Sequence, residues 1–252
     1  MRRLGLLLCL LTAFLTVGCT APYRAEKFDL TVGGPVEVDV DCFRGDVIVK
    51  ADPRLNEAFV RIVRTGEHGY DRLEEARASL DDINTSVELV PGTYGQRLQV
   101  RTGTTNAEPA FQRTDIYITL PLIEGMRIRT DDGNIGVVRG AGAMDLETSN
   151  GNVAVKTSVP IREPVTIINN GGGIEYITRS ESTGKFDARV VHGTIMHHVI
   201  RGDLHVHAGT DETSFQATLN DGENPVILRT VDGDIRIKIV AEPETVYNSL
   251  LY

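Results

Sequence analysis

The chain has 252 residues, of which 41% are hydrophobic and 24% are charged, the balance of a globular protein with enough chain to bury a core. Its formal net charge of -9, without any cluster of Lys and Arg, argues against nucleic acid as a partner, because an acidic surface repels phosphate. The absence of Trp and the presence of 25 Gly favour a mainly β fold with many tight turns.

The first residues have the pattern of an export signal. Arg2 and Arg3 precede an apolar run, residues 4–17, that is short for a permanent membrane-spanning helix. The run ends at Thr16-Val17-Gly18-Cys19, which resembles the bacterial lipobox except that Thr16 stands where that motif prefers Leu. We predict a signal peptide over residues 1–18, cleavage between Gly18 and Cys19, and lipidation of Cys19. The alternative is an ordinary signal peptide with Cys19 left as a free thiol.

A lipidated Cys19 implies a location for the chain. Acyl chains contribute about 0.8 kcal/mol per buried methylene, so two or three of them hold a protein at a membrane surface. By resemblance to bacterial sorting patterns, Thr20 in place of Asp favours the outer membrane. We therefore expect an exported protein that is lipid-anchored in the cell envelope, with residues 19–27 as a tether. Cys42 then has no intramolecular partner, and we expect its thiol to be buried.

Residues 28–124 are predicted to form a block of strands with one helix. Apolar residues alternate with polar ones after Phe28, again after Val36, and at Val47 and Val49, which is typical of half-buried strands. Between residues 70 and 83 the apolar spacing changes to three and four, with good helix formers between, which predicts a helix.

From residue 125 to 241 a short strand, a tight corner and a second short strand recur. The units begin at residues 126, 144, 165, 186, 204 and 226, and all but the fifth contain an Asp-Gly, Asn-Gly or His-Gly corner. We predict a β-solenoid of about six coils, in which each coil buries its apolar face on its neighbours. An antiparallel meander with Asn-Gly hairpins is the alternative. We predict that residues 242–252 form a C-terminal tail. The predicted corner glycines are Gly133, Gly151, Gly171, Gly193 and Gly233.

Stacked coils make a prediction about columns of side chains. Arg127 should lie beside Asp145, and Arg129 beside Glu147, so that opposite charges face each other across paired strands. The residues expected in one buried column are Ile128, Leu146, Ile167, Ala188, Val206 and Leu228.

The chain resembles a known family at this point. Ile118-Thr119-Leu120-Pro121, then residues 126–130 and the repeated Asp/Asn-Gly units, are similar to the bacterial putative-adhesin domains, a family of unknown function. The resemblance covers residues 28–240 and implies a β-solenoid-like fold in the cell envelope. It carries over no catalytic residue and no cofactor.

The histidines offer one candidate for metal chemistry. Five of them lie between His192 and His207, and His205 and His207 share one face of a strand. His192 occupies a corner and His197 has the inward orientation of Ile195, so these side chains point in at least three directions. We therefore expect a solvated or hydrogen-bonded histidine cluster rather than a metal site. The corner Asp and Asn residues are expected to bond one another, since the calcium-binding nonapeptide repeat is absent.

These observations favour a non-catalytic, membrane-anchored binding, adhesin-like or scaffold module, with a protein or glycan ligand on the strand faces. One alternative is a periplasmic partner in envelope-stress sensing. The other is a glycan-active β-helix enzyme, which needs two facing carboxylates. Asp131, Asp132, Asp232 and Asp234 are available, but they belong to coils that we expect to be far apart. Nothing in the pattern specifies an oligomeric state.

Overall fold

A computed structural model describes residues 21–246, which fold into strands with little helix. The only α-helix in that range is α1 (Leu73–Ser79), between the 3-10 turns Tyr70–Arg72 and Leu80–Asp82, so the predicted helical segment is confirmed. Two more 3-10 turns lie at Pro109–Phe111 and Pro243–Thr245. The strands are β1 (Tyr23–Leu30), β2 (Val36–Cys42), β3 (Val47–Ala51), β4 (Ala58–Gly66), β5 (Ile83–Gly92), β6 (Gly95–Thr104), β7 (Gln112–Leu120), β8 (Ile123–Asp132), β9 (Ile135–Val138), β10 (Ala141–Asn150), β11 (Val153–Thr157), β12 (Val165–Gly171), β13 (Ile174–Arg179), β14 (Gly184–His192), β15 (Ile195–Val199), β16 (Leu204–Val206), β17 (Ser214–Leu219), β18 (Pro225–Asp232) and β19 (Ile235–Val240).

The strands form two sheets that face each other across one apolar core. The nine-stranded sheet has the order β1-β4-β7-β3-β9-β11-β13-β19-β15. The ten-stranded sheet has the order β16-β17-β14-β18-β12-β10-β8-β2-β6-β5. Each coil runs along one sheet, turns a corner and continues in the other sheet, so neighbouring coils pair in parallel. This is the predicted solenoid, and the parallel pairing of β8–β15 with β18 and β19 excludes a meander of hairpins for these coils.

The coils do not stack in chain order. In space they run β6–β7, β2–β3, β8–β9, β10–β11, β12–β13, β18–β19 and β14–β15. The last coil of the chain therefore lies between two earlier ones, and β2–β3 lies between β6–β7 and β8–β9. A single cluster of buried side chains extends from Val36 to Ile239, so the predicted strand block and the repeat share one core.

The predicted buried column needs one correction. Ile128, Leu146, Ile167, Leu228 and Ala188 follow one another in this order across the ten-stranded sheet, and all are fully buried. Val206 is not among them, because the fifth predicted unit is not a coil. Its strand β16 pairs antiparallel with β17, and the Val206 side chain is 41% exposed.

Antiparallel strands close both ends of the parallel stack. At one end β5 pairs with β6, β4 pairs with β7 and β1 pairs with β4. At the other end β17 pairs with β14 and β16 pairs with β17. The start of the predicted C-terminal tail crosses the outer face of the nine-stranded sheet, where Lys156 is fully buried and its Nζ donates to the Val246 carbonyl at 3.1 Å. Within residues 21–246 no helix has the length and apolar character to cross a membrane.

Candidate functional site

The outward face of the ten-stranded sheet carries rows of charged side chains. Alternate residues of a strand point to opposite sides, so the polar partners of the buried apolar residues all project from this face. Neighbouring strands alternate in sign across β6, β2, β8 and β10. The positive columns are Arg97 with Arg101 and Arg127 with Arg129; the negative columns are Glu37 with Asp39 and Asp41, and Asp145 with Glu147.

The charges on this face lie in the predicted register, and one of the two predicted pairs, Arg129 with Glu147, forms an ion pair. Arg127 lies opposite Asp145 in the register of β8 and β10, and Arg129 lies opposite Glu147. The Arg129 guanidinium bonds Asp145 at 3.1 Å and Glu147 at 2.9 Å, whereas Arg127 turns the other way toward β2. Ion pairs therefore join each of these strands to its neighbour, with Arg127 bonding to β2 and Arg129 bonding to β10.

One part of this face forms a cleft, which we call the Tyr94 cleft. Its volume is about 340 Å³. The turn between β5 and β6 supplies an exposed aromatic ring, that of Tyr94, which is 56% accessible. The floor and walls are Glu37, Val38, Asp39, Thr93, Arg97, Gly125, Met126, Arg127 and Ala143. The cleft thus combines an aromatic ring with several hydrogen-bonding groups.

Glu37 holds the turn that carries Tyr94. Its carboxylate accepts bonds from the backbone N–H groups of Thr93 and of Tyr94, the latter at 3.1 Å, and from the Arg97 guanidinium at 2.8 Å. Burial raises the pKa of the Glu37 carboxyl, but these donors outweigh that effect and hold its pKa below the usual value. A carboxylate fixed in its charged form by several donors positions the turn and is a poor proton donor near neutral pH.

Asp39 is similarly engaged. Its carboxylate contacts Arg101 at 2.6 Å and Arg127 at 2.9 Å, and Arg127 also reaches Asp41 at 3.1 Å. Burial raises the pKa of Asp39, whereas the two guanidinium groups lower it, and the net direction is below the usual value. The acidic groups lining the cleft are thus bonded to arginine, which leaves no free carboxylate there for acid–base catalysis.

This chain matches a known family of proteins. The model of one family, Toastrack DUF4097, matches residues 79–238. The chain belongs to this family. The match confirms the resemblance that residues 118–130 and the Asp/Asn-Gly units indicate, and with it the β-solenoid-like fold.

A solved structure shares this fold. The chain is similar to a putative cell adhesion protein from Clostridium sporogenes, with a TM-score of 0.59 and 10% identity over 86% of this chain and 100% of that one. It also matches a putative adhesin from Bacteroides fragilis, with a TM-score of 0.27 and 11% identity over 86% of this chain and 97% of that one. No curated protein matches the chain.

The corners of the Toastrack coils are held by a ladder of buried polar side chains, which we call the corner ladder. Thr148 Oγ1 donates to the Gly133 carbonyl at 2.9 Å, and Thr230 Oγ1 donates to the Gly172 carbonyl at 2.8 Å. The other members are Thr130, which bonds Gly45, Asn169, which bonds Gly151, and Cys42, whose Sγ lies 3.3 Å from the Thr114 carbonyl. Cys42 is buried, as expected, and takes a ladder position in register with Thr130.

The corner glycines are packed against one another's backbone, with one change from the predicted set. A Cβ on Gly133 would lie 1.9 Å from the Gly45 carbonyl oxygen, and one on Gly151 would lie 2.1 Å from that of Gly133. The third corner is at Gly172 rather than Gly171, because Gly172 has a φ of +128 and approaches the Gly151 carbonyl. Gly171 is the last residue of β12 and pairs with Asn150. Gly193 and Gly233 continue the corner column.

The histidines of the Toastrack domain are spread over one end of the stack. His192 Nδ1 bonds Asp232 at 2.9 Å, and the His197 ring packs on Phe215 with 4.7 Å between centroids. The rings of His205 and His207 lie 5.1 Å apart. Within residues 21–246 no group of three or more His, Cys, Asp or Glu side chains is placed to hold a metal ion.

The carboxylates considered for glycan hydrolysis lie too far apart to act as a catalytic pair. Asp132 and Asp232 occupy one row across β8, β10, β12 and β18, which puts them about 14 Å apart at the usual strand spacing. Glycosidases place their carboxyl groups about 5 to 9.5 Å apart. Asp132 is bonded by Arg44 at 3.0 Å, and Asp234 by Thr194 at 3.1 Å.

The remaining predicted residues, Gly18 and Cys19, lie outside the described range. The Tyr94 cleft was not predicted, because its lining comes from parts of the chain that are distant in sequence: β2, the turn at residues 92–95 with the start of β6, β8, and Ala143 in β10. The signal that could have located its aromatic group is Gly92-Thr93-Tyr94-Gly95, a glycine-bounded turn that presents a tyrosine.

Proposed function

We propose that this Toastrack protein is a lipid-anchored envelope protein that binds a glycan without transforming it, and that the Tyr94 cleft is where the glycan binds. The observation that carries the proposal is the composition of the cleft. An exposed Tyr ring can pack against the apolar face of a sugar, and the Arg and Asp side chains beside it can bond the sugar hydroxyl groups. The ion-paired state of Glu37 and Asp39 supports binding over catalysis.

The anchor that we propose is the acylated Cys19. It precedes β1, which is at one end of the nine-stranded sheet, so the far end at β15 would lie about 38 Å away along the stack. The test is metabolic labelling of growing cells with an alkyne-bearing fatty acid. The chain should be labelled and sediment with membranes, and Cys19→Ser should lose both properties. Cys42→Ser is the matched control and should keep the label. A labelled Cys19→Ser variant would contradict the anchor.

The glycan proposal is tested by binding the purified chain to an array of bacterial envelope and host glycans. Replacing Tyr94 with Ala should weaken binding to the strongest hit about 2- to 12-fold, the loss expected for one aromatic contact. Tyr23→Ala is the control, because Tyr23 is an equally exposed tyrosine on β1 of the other sheet. Absence of any bound glycan would refute the ligand class, and equal losses in the two variants would refute the location.

The same samples test the absence of catalysis. The bound glycan should be recovered unchanged after prolonged incubation with the chain, as judged by mass spectrometry. Release of shortened products that depends on the chain would overturn the non-catalytic part of the proposal and would favour the glycan-active enzyme.

A further inference from the structure

The ten-stranded sheet ends in an open edge at β16. His207 donates its backbone N–H to the Gln216 carbonyl, and Asp203 accepts from Asn220, so residues 203, 205 and 207 turn their backbone groups toward β17. In an antiparallel pair the intervening residues face the other way. The N–H and C=O of Val206 therefore point away from the sheet, toward a position where a further strand would fit.

Two imidazoles stand on the outer face of this edge. His205 and His207 are two residues apart and so share a side of the strand. Two imidazoles bound to one zinc at a tetrahedral angle have ring centroids about 5.2 Å apart, since each zinc–nitrogen bond is about 2.0 Å long. The observed separation is 5.1 Å. The two rings therefore have the centroid separation expected of two ligands of a single zinc ion.

The surroundings of the pair suit a cation. Nε2 of His207 lies 2.9 Å from Thr218 Oγ1, which orients the ring and leaves Nδ1 for a metal. Asp203 lies on the same face, two residues before His205. The nearest amine along this row is that of Lys185, which lies on β14 opposite Thr218 of β17. This amine forms an ion pair with Glu223.

The pair supplies only half of a tetrahedral set, because no third protein ligand is placed nearby within the residues described. A second copy of the chain would supply the rest. If two β16 strands pair antiparallel about a twofold axis at Val206, the two Val206 residues exchange backbone hydrogen bonds. His205 then lies opposite the partner's His207 as a non-hydrogen-bonded pair, about 4.5 Å between Cα atoms. All four imidazoles project from the same face.

We propose that His205 and His207 form half of a zinc site, completed by the same pair from a second copy, so that zinc joins two chains edge to edge through β16. The proposal does not depend on the Tyr94 cleft, which lies toward the opposite end of the ten-stranded sheet.

The test is sedimentation of the purified chain with Zn²⁺ or with a chelator. We expect a doubling of mass on adding Zn²⁺, reversal by the chelator, and one zinc bound per two chains by titration against a chromophoric chelator. His205→Ala and His207→Ala should each abolish the dimer and weaken zinc binding at least tenfold. His198→Ala is the control, because His198 is an exposed histidine on β15, the edge strand of the other sheet, and it should behave as the parent.

A second variant tests the pairing of strands. Val206→Pro removes the outward N–H while keeping both imidazoles, and proline is tolerated on an edge strand. It should fold, as judged by circular dichroism, and should no longer dimerise with zinc. Binding of one zinc per chain without dimerisation, no zinc binding at all, or a zinc-dependent dimer in both His→Ala variants would each overturn the proposal.

Discussion

The packing of corner glycines makes a strong prediction for Gly151→Ala. Gly151 has a φ of +140, and an added Cβ would lie 2.1 Å from the Gly133 carbonyl oxygen, which is backbone and cannot rotate away. The strained φ costs about 1–3 kcal/mol. Moving the two corners apart also disturbs the bond that the Gly133 N–H donates to the Asn150 carbonyl and the bond that Thr148 donates to the Gly133 carbonyl. At about 1 kcal/mol for each hydrogen bond, the total loss is about 3–5 kcal/mol.

Two other glycines separate the contributions to this loss. Gly209 has a φ of +91 with no atom within 4 Å of an added Cβ, so Gly209→Ala isolates backbone strain and should cost about 1–2 kcal/mol. Gly103, in β6, has neither a positive φ nor a close contact. Gly103→Ala should therefore be neutral or stabilise by up to about 1 kcal/mol, because alanine restricts the unfolded chain.

The measurement is urea unfolding of the three variants and the parent, followed by circular dichroism, with thermal melts in parallel. For a chain of this size 1 kcal/mol lowers Tm by about 2–4 °C, so Gly151→Ala should melt roughly 6–20 °C below the parent. If Gly151→Ala were no less stable than Gly209→Ala, the close approach of neighbouring corners would contribute nothing, and the reasoning would be refuted.

Three further predictions concern single side chains. Thr148→Val should cost about 1–3 kcal/mol in urea unfolding, because it leaves the Gly133 carbonyl without its buried donor, whereas Thr166→Val on the outer face should be near neutral. Burial raises the pKa of the Cys42 thiol, so above about pH 9 the thiol ionises only in the unfolded chain. Above that pH the parent should therefore lose stability relative to Cys42→Thr. An equal pH dependence of the two proteins would contradict this prediction. The hydrogen bond from Arg139 lowers the pKa of the Glu244 carboxyl to about 2. Docking of residues 243–246 should therefore weaken as the pH falls from about 4.5 toward 2. Glu244→Gln should speed amide exchange of Val246 at pH 7 but not at pH 2.

Local patterns predicted the coils well. Each coil after residue 125 has apolar residues at every second position and a glycine after Asp, Asn or His, and both signals act over a few residues. The charge columns of β8 and β10 followed from the register that these corners impose. The corner at residues 171–173 was ambiguous because three glycines are adjacent, and only contact with the Gly151 carbonyl distinguishes Gly172.

The fifth unit was wrongly predicted to be a coil, because its apolar and polar residues alternate as they do in a strand. Leu204-His205-Val206-His207 satisfies the strand pattern, but no Asp-Gly, Asn-Gly or His-Gly corner follows it. Without a corner the chain turns back on itself, and β16 and β17 pair antiparallel as a cap. The Tyr94 cleft could not be predicted for a different reason: its residues are brought together by coil stacking, which no short pattern encodes.

The order of the last two coils has a physical explanation in the corner ladder. Across the ten-stranded sheet the ladder position is occupied by Cys42, Thr130, Thr148, Asn169, Thr230 and Val190, in that spatial order. An interior coil must donate a hydrogen bond to the corner carbonyl of its neighbour, because a buried carbonyl without a donor is costly. Thr230 can do so and Val190 cannot. The coil β18–β19 therefore supplies the donor that the Gly172 carbonyl needs, which β14–β15 in its place would not. As the last coil of the parallel stack, β14–β15 leaves only the Gly233 carbonyl without a ladder donor, and there its own corner, residues 191–194, is exposed to solvent. The polar or apolar character of one residue per coil thus carries information about stacking order that the repeat period lacks.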